Sequence, residues 1–416
     1  MRKRPSKPVG HENLGHTIAL EPTCKQAQML ARATGCSRFA YNWGLAEWGR
    51  QYRADEKPSA DKLKKQFNFL RGEVFPWTYE SPRDATSEAF RDLGSAFSAF
   101  FSSQSGERKG PKIGYPTCRK RGKNDSFYVA NDKFHVDGKR IYLPRIGSVK
   151  MTESLRLTGK ILSARVKREA GRWYVSIAVQ GEFRRPIAHQ RSIVGVDLGI
   201  KTAIVPSHGD PIESPKPLAA ALKRLRRANR VLHRRKKGGQ NRYKARMRVA
   251  RIHQYVGNVR RDWAHKVTTK LCCENQAIVI EDLNVSGMLK NERLARAISD
   301  VGFGMIRVFL TYKGRIFNCN VQVADRWFPS SKRCHQCGNE KHILELSERV
   351  YACDACGLIE DRDLNASKNL EQYPRLAGNW GRKARTPMDD CISTRLGRAS
   401  AVDEVGTNPC SLVGTT

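Results

Sequence analysis

Two cysteine pairs constrain this chain more tightly than any other feature. Cys334-x-x-Cys337 and Cys353-x-x-Cys356 stand fifteen residues apart. Each pair can offer two thiolates to one ion, and two pairs close a tetrahedral shell of the kind that holds Zn2+. Four sulfurs leave no open coordination position, so the expected zinc is structural and single. Residues 331–360 therefore read as a zinc ribbon, supporting the fold or touching a strand through Lys332, Arg333 and Lys341. The following residues, in "YACDACGLIEDRDLNASKNL" (351–370), place Asp361 and Asp363 at the start of an expected helix.

That acidic pair is conspicuous because the chain is otherwise basic. Lys and Arg total 76 against 40 acidic residues, a formal net charge of +36. Such an excess repels itself unless a polyanion neutralises it. The basic residues are spread along the chain, so an extended nucleic acid is the expected partner; a ribosomal or histone-like structural role is the plainer alternative. No stretch approaches ~20 consecutive apolar residues, so no membrane partner is expected. With 416 residues, 39% of them hydrophobic, two or three packed domains are expected. The opening "MRKRPSKPVG" lacks the apolar run of a secretory signal, and twelve cysteines then imply a reducing compartment. Cys24, Cys36, Cys118, Cys272, Cys273, Cys319, Cys391 and Cys410 show no paired ligand spacing and are expected as packing thiols.

Along the chain, "HTIALEP" reads as a strand. The next stretch, 23–53, reads as two helices broken at Gly35, with Leu30, Phe39, Trp43 and Leu45 at helical spacing. Residues 84–101 form a further helix with Phe90, Leu93, Phe97 and Phe100 or Phe101 on a core face. From Gly110 the pattern becomes short alternating strands punctuated by Gly and Pro, as in a barrel. Lys112, Arg119, Lys120 and Arg121 crowd its first loop beside Tyr115, Phe127 and Tyr128, a mixture suited to phosphate contact and base stacking. Residues 216–270 carry 19 Lys or Arg and one acid, Asp262. Two helices joined at "KKGGQN" make a basic hairpin. Its Arg224, Arg227, Arg234, Arg235, Lys236 and Lys237 have almost no acidic partners nearby and are assigned to phosphate. Residues 294–317 read as one helix. The polar tail, 373–416, is expected to lack order.

Three acids fall at the ends of apolar elements. Asp197 ends "SIVGVD", Glu281 ends "AIVIE", and Asp363 opens "DLNASKNL". Singly, each has a plain explanation: a turn, an arginine partner, a helix cap. Together, two neighbouring strands and a helix end could bring three carboxylates to one point. Like charges so placed raise one another's pKa and call for a cation. Mg2+ suits oxygen ligands, and two such ions ~4 Å apart clamp both oxygens of a phosphodiester under attack. Asp282 faces away from Glu281 if the strand is regular.

The segments "GVDLGIKTAIV", "VIEDLNVSGMLKNERLARAISDVGFG", "DRWFPSSKRCHQCG" and "YACDACGLIEDRDLNASKNL" resemble the TnpB (OrfB) proteins of bacterial insertion sequences, relatives of the type V CRISPR effector nucleases. The likeness runs from about Ile193 to Leu370 and is looser over residues 1–190. It implies an α+β multidomain chain. A wedge β-barrel would begin in residues 1–23 and resume in 109–190, with a helical recognition domain inserted at 24–108. A RuvC-like domain of RNase H fold would follow at 191–330, interrupted by the ribbon at 331–360 and completed by a last motif at 361–372. The implied activity is Mg2+-dependent, RNA-guided cleavage of double-stranded DNA beside a short adjacent motif, in the cytoplasm. The implied partners are a guide RNA from the element and the target DNA. Asp197, Glu281 and Asp363 become the catalytic, Mg2+-binding acids. Asp363 is preferred to Asp361 because the family's last motif reads Asp-x-Asn-Ala, here Asp363-Leu364-Asn365-Ala366. The alternatives are an RNA-guided binding protein that does not cut and a miniature type V effector.

Overall fold

The computed structural model describes residues 12–376 apart from 109, 186 and 346–347. The opening "MRKRPSKPVG" lies outside the described residues, as does the tail from 377 onward; residues 373–376, expected as the start of a tail without order, are instead the end of a helix that runs to Leu376. No helix among the described residues is long and apolar enough to cross a membrane. The chain divides after Glu182 into two compact units, and it is a mixed α/β multidomain protein.

The first unit begins with strand β1 (Glu12–Glu21) and helices α1 (Cys24–Arg53), α2 (Ala60–Leu70) and α3 (Arg83–Gln104). Thr23 starts α1 by accepting the Gln26 N–H, while the Gln26 side chain accepts from the Thr23 N–H; this reciprocal pair satisfies two otherwise orphaned donors. The break expected at Gly35 is absent, and α1 runs unbroken for 30 residues. Ala33, Thr34, Cys36 and Ser37 around the glycine are all buried, so packing outweighs the ~1 kcal/mol that glycine costs a helix. Tyr41, Trp48, Leu63, Phe67, Phe90, Leu93 and Phe97 form the helical core, with Trp48 stacked on Phe97 at 3.9 Å.

Six strands follow: β2 (Ser126–Ala130), β3 (His135–Asp137), β4 (Arg140–Leu143), β5 (Gly147–Met151), β6 (Lys160–Glu169) and β7 (Arg172–Gly181). They join β1 in an antiparallel sheet of order β2-β6-β7-β1-β5-β4-β3. The chain's first strand therefore pairs in the middle, with β7 on one side and β5 on the other.

The second unit contains strands β8 (Arg191–Asp197) and β9 (Val205–Pro206), then helices α4 (Pro217–Arg234) and α5 (Gln240–Glu274). Next come β10 (Asn275–Ile280), helices α6 (Val285–Met288), α7 (Ala295–Val301) and α8 (Phe303–Phe317), and β11 (Asn320–Val323). The short strands β12 (Val350–Ala352) and β13 (Ile359–Asp361) and helix α9 (Arg362–Leu376) complete it. The sheet order is β11-β10-β8-β9, with β8, β10 and β11 parallel and β9 antiparallel. The stretch expected as one helix is divided into α7 and α8 at Gly302. This residue is left-handed (φ +78°), and its N–H closes α7 on the Ile298 carbonyl. Glycine adopts that conformation without the steric penalty other residues meet.

α4 starts at Lys216, whose side chain provides no cap. Asp300 of α7 supplies it instead, accepting the Leu218 and Ala219 N–H groups at 2.9 and 3.0 Å. Arg260 of α5 pairs with the same carboxylate at 3.2 Å. The basic hairpin is thereby fastened by one buried acid placed at the positive end of its first helix.

α9 lies directly on β8. A Cβ at Gly195 would fall 1.8 Å from the Ser367 carbonyl oxygen and 2.4 Å from the Glu371 nitrogen. Backbone meets backbone there, and neither can yield without moving the helix. Ala366 and Leu370 are buried in α9, and Leu370 packs with Ile193, Ala277 and Val279 of the sheet. Gly195→Ala is expected to destabilise the second unit by about 3 kcal/mol, the upper range for forced overpacking. Urea unfolding measures this, and a loss below about 1 kcal/mol would contradict so close an approach.

Candidate active site and metal centre

The parallel register pairs Val196 with Ile280. The next residues, Asp197 and Glu281, therefore leave adjacent strands side by side at their carboxyl ends. Strand neighbours lie ~4.8 Å apart, and the carboxyl edge of a parallel sheet is where ligands bind in open α/β folds. Asp363 enters from the first turn of α9. Burial, then the charges of Glu281 and Asp363, push the Asp197 carboxyl well above the ordinary aspartate range. The Leu198 N–H and Arg362 oppose that shift without cancelling it. Glu281 and Asp363 thus both act on Asp197, and a divalent cation is a group that would relieve its carboxylate. Among the described residues they do not form a tight ligand cluster of the kind the cysteines make. Acids that bracket two ions ~4 Å apart need not touch one another.

The neighbouring acids have other employment. Asp361 accepts the Asp363 and Leu364 N–H groups at 2.9 and 3.1 Å, which makes it the cap of α9 and fixes the turn carrying Asp363. Asp282 takes Arg307 at 2.6 Å and Arg326 at 2.7 Å. Partial burial pushes its carboxyl up, but those two arginines outweigh it and hold Asp282 below the usual range. Sequence reasoning missed Ser330, whose hydroxyl donates to Glu281 Oε1. Its signal is weak in one dimension, since the two residues are 49 positions apart.

The four cysteines converge, with their sulfurs within 4.8 Å of one another. Cys334 and Cys356 are 3.7 Å apart, and Cys337 and Cys353 are 3.5 Å apart. Those lengths rule out disulfides of ~2.05 Å. They match the ~3.8 Å edge of a tetrahedron built on Zn–S bonds of ~2.3 Å. The N–H groups of Cys356 and Ala355 lower the Cys353 thiol to about 6 against the effect of burial. The Cys356 thiol feels a lowering hydrogen bond from Leu358. Burial and the sulfurs of Cys337, Cys353 and Cys334 nevertheless drive it up to about 12. A cation among the four sulfurs would hold all of them as thiolate ligands.

The ribbon is bolted to α9 along one helical stripe. Asn365, Asn369 and Gln372 follow i, i+4, i+7 spacing, which puts them on one face. Asn365 Nδ2 donates to the Arg333 carbonyl at 2.8 Å and Asn365 Oδ1 accepts the His335 N–H at 3.1 Å. Asn369 Nδ2 donates to the Ser330 and Arg333 carbonyls at 2.8 and 2.6 Å. Gln372 reaches the His335 carbonyl at 3.0 Å. Lys368 and His335 both contact Glu360. The helix that carries Asp363 is therefore clamped between the sheet and the cysteine knuckle.

The sequence-assigned basic residues divide into free and engaged groups. Lys112, Lys120, Arg121, Arg224, Arg227, Arg234, Arg235, Lys236 and Lys237 are exposed. Arg119 is engaged internally, 2.7 Å from Asp92 and 3.9 Å above the Tyr41 ring. Arg333 pairs with Glu340 at 3.3 Å, and Lys332 Nζ donates to the His342 carbonyl at 3.0 Å.

Two outcomes follow. Elemental analysis should find one zinc per chain, and Cys353→Ser should lose it together with cooperative folding of the ribbon; a zinc-free, fully folded protein would contradict the site. In metal-free buffer at neutral pH, Asp197→Asn should raise the melting temperature by about 2–4 °C, because it removes a charge the fold disfavours. Since folding raises this carboxyl's pKa, the penalty is absent below the unfolded aspartate range and grows as pH rises towards the folded value. The gain should therefore vanish in acid, and an unchanged gain there would contradict the charge argument.

Comparison with known proteins agrees with this architecture. The OrfB_IS605 family model, described as "Probable transposase", matches residues 174–292. A model described as "Cas12f1-like, TNB domain" matches residues 303–370. One described as "Helix-turn-helix domain" matches residues 13–57, a span that folds here as β1 followed by the single helix α1. A Streptomyces pristinaespiralis protein named "Putative RNA-guided DNA endonuclease" is 34% identical, covering 92% of this chain and 94% of its own. The Escherichia coli K12 protein named "Putative RNA-guided DNA endonuclease InsQ" is 29% identical over 84% of this chain and 90% of its own. The solved Cas12f1–sgRNA–target DNA complex contains a similar fold, with a TM-score of 0.50 at 11% identity over 84% of this chain and 83% of that one. By these likenesses the chain belongs to the TnpB (OrfB) family of insertion-sequence proteins.

Proposed function

We propose that the chain is an RNA-guided, Mg2+-dependent endonuclease that cuts double-stranded DNA beside a short adjacent motif, with a guide RNA derived from its own element. Convergence of Asp197, Glu281 and Asp363 at the carboxyl ends of β8 and β10 carries this reading. Acids alone repel phosphate. In a chain of charge +36 they make chemical sense as holders of divalent ions, while the basic surface recruits nucleic acid. In this reading the second unit is a RuvC-like RNase H domain interrupted by the ribbon, and the sheet of the first unit is a wedge barrel with its helical domain inserted. The domain boundaries are those expected from the sequence, and the setting is the cytoplasm.

Each residue then has a defined task. Asp197, Glu281 and Asp363 would hold two magnesium ions, which would supply charge neutralisation and Lewis-acid polarisation of a phosphodiester. Asp361 fixes the turn that presents Asp363, and Ser330 orients the Glu281 carboxylate. The exposed arginines and lysines of α4 and the α4–α5 turn take backbone phosphates. Guide pairing reads the target sequence, leaving the protein to read backbone shape and the adjacent motif.

The test uses protein purified with RNA copied from the element's end, a matching plasmid and Mg2+. Wild type should linearise the plasmid. Asp197→Ala should reduce cutting to background while RNA affinity stays unchanged. An intact plasmid with wild type would instead indicate a guided binding protein that does not cut.

A further inference from the structure

The loop between β11 and the first cysteine pair, residues 324–333, is held at several points. The Ala324 N–H donates to the Ile280 carbonyl at 2.8 Å, and the Asp325 N–H to the Tyr373 hydroxyl at 3.1 Å. Phe328 turns inward, packing edge-on against Tyr373 with 4.9 Å between ring centres. Asp325 Oδ1 accepts the Trp327 N–H at 2.8 Å. At its far end Ser330 donates to Glu281 and accepts from Asn369. On this anchored loop the Trp327 side chain stands outward, 85% exposed.

A large apolar ring in water is disfavoured, and a fixed loop gives it no way to withdraw. Ordinary surface tryptophans lie partly covered; this one presents an open face with charged neighbours, Asp325 and Arg326, both exposed. That setting lacks the packed, water-excluding pocket in which a protein-docking hot spot sits. It suits a flat, sequence-indifferent partner that brings its own charge, and a nucleobase is such a partner. The position is also telling. Trp327 stands three positions before the serine bonded to Glu281, at most ~11 Å of chain. That equals about three stacked nucleotides at ~3.4 Å each.

We propose that Trp327 is the stacking platform for one base of the single strand entering the acid cluster, and that it sets which phosphodiester is cut. The proposal rests on the nuclease reading above. Phe328 and Ser330 hold the loop from beneath, so the indole acts as a fixed stop against which the strand is registered.

The experiment uses the protein–guide RNA complex and matched duplexes carrying a single abasic site at successive positions around the cut. For wild type, one abasic position should slow cutting about tenfold, the size of one lost base–aromatic stack. Trp327→Ala should be slowed about as much on intact DNA, show no further loss at that position, and spread its cuts over neighbouring phosphates. Trp327→Phe should restore both the single cut and the abasic sensitivity. Zinc content and melting temperature should be unchanged in both variants, as the side chain is exposed. If wild type cuts but Trp327→Ala keeps the same rate, cut position and abasic profile, the stacking role is wrong while the nuclease reading stands. If wild type does not cut at all, the nuclease reading fails first.

Discussion

The architecture of the second unit turns on one absence, the missing side chain at Gly195. Because that position carries no Cβ, the backbone of α9 can lie against the backbone of β8. Any other residue would push the helix outward at the Ser367 carbonyl. This contact brings the first turn of α9 to the carboxyl edge of the sheet, where β8 and β10 deliver Asp197 and Glu281 in register. The Asp363 carboxylate delivered by this approach adds to the burial and the Glu281 charge that already push the Asp197 carboxyl up.

The cysteine knuckle supports the same placement from the other side. Asn365 and Asn369 are fully buried between α9 and the ribbon, where their amide N–H groups need acceptors. They bond to the carbonyls of Ser330 and Arg333, four positions and one position before Cys334. A closed metal site that rigidifies this turn therefore rigidifies the helix too. This resolves the oddity of a structural knuckle beside an acidic pair: one acid caps the helix, the other is aimed by it, and the knuckle clamps both. Ser330 extends the linkage to Glu281, so the ribbon, the helix and the second strand share one hydrogen-bonded joint.

The sequence made local features legible and left long-range ones hidden. Cysteine spacing announced the four-sulfur cluster because ligand geometry is encoded within each turn. Acids ending apolar runs were visible at Asp197 and Glu281, where strand periodicity stops at a charge. Asp363 was separated from Asp361 by family resemblance, whereas the hydrogen bonds of Asp361 to the next N–H groups identify a cap directly. Gly35 looked like a helix break, but burial on both sides of it kept α1 continuous. Gly302 looked helical, and its positive φ divides the segment. Asp300 capping α4 from more than 80 positions away, Ser330 against Glu281, and the bare backbone at Gly195 are tertiary facts with no local pattern. Arg119 shows the same limit: its neighbours suggested phosphate, and its own partners are Asp92 and Tyr41.

The central claim is that folding gathers three distant carboxylates into a cradle for two divalent ions. Anomalous diffraction from crystals of the RNA-bound protein soaked in Mn2+ addresses it without reference to cleavage. The account predicts two peaks about 4 Å apart, bounded by Asp197, Glu281 and Asp363. Manganese found elsewhere, with those carboxylates bare or paired only with protein cations, would contradict it.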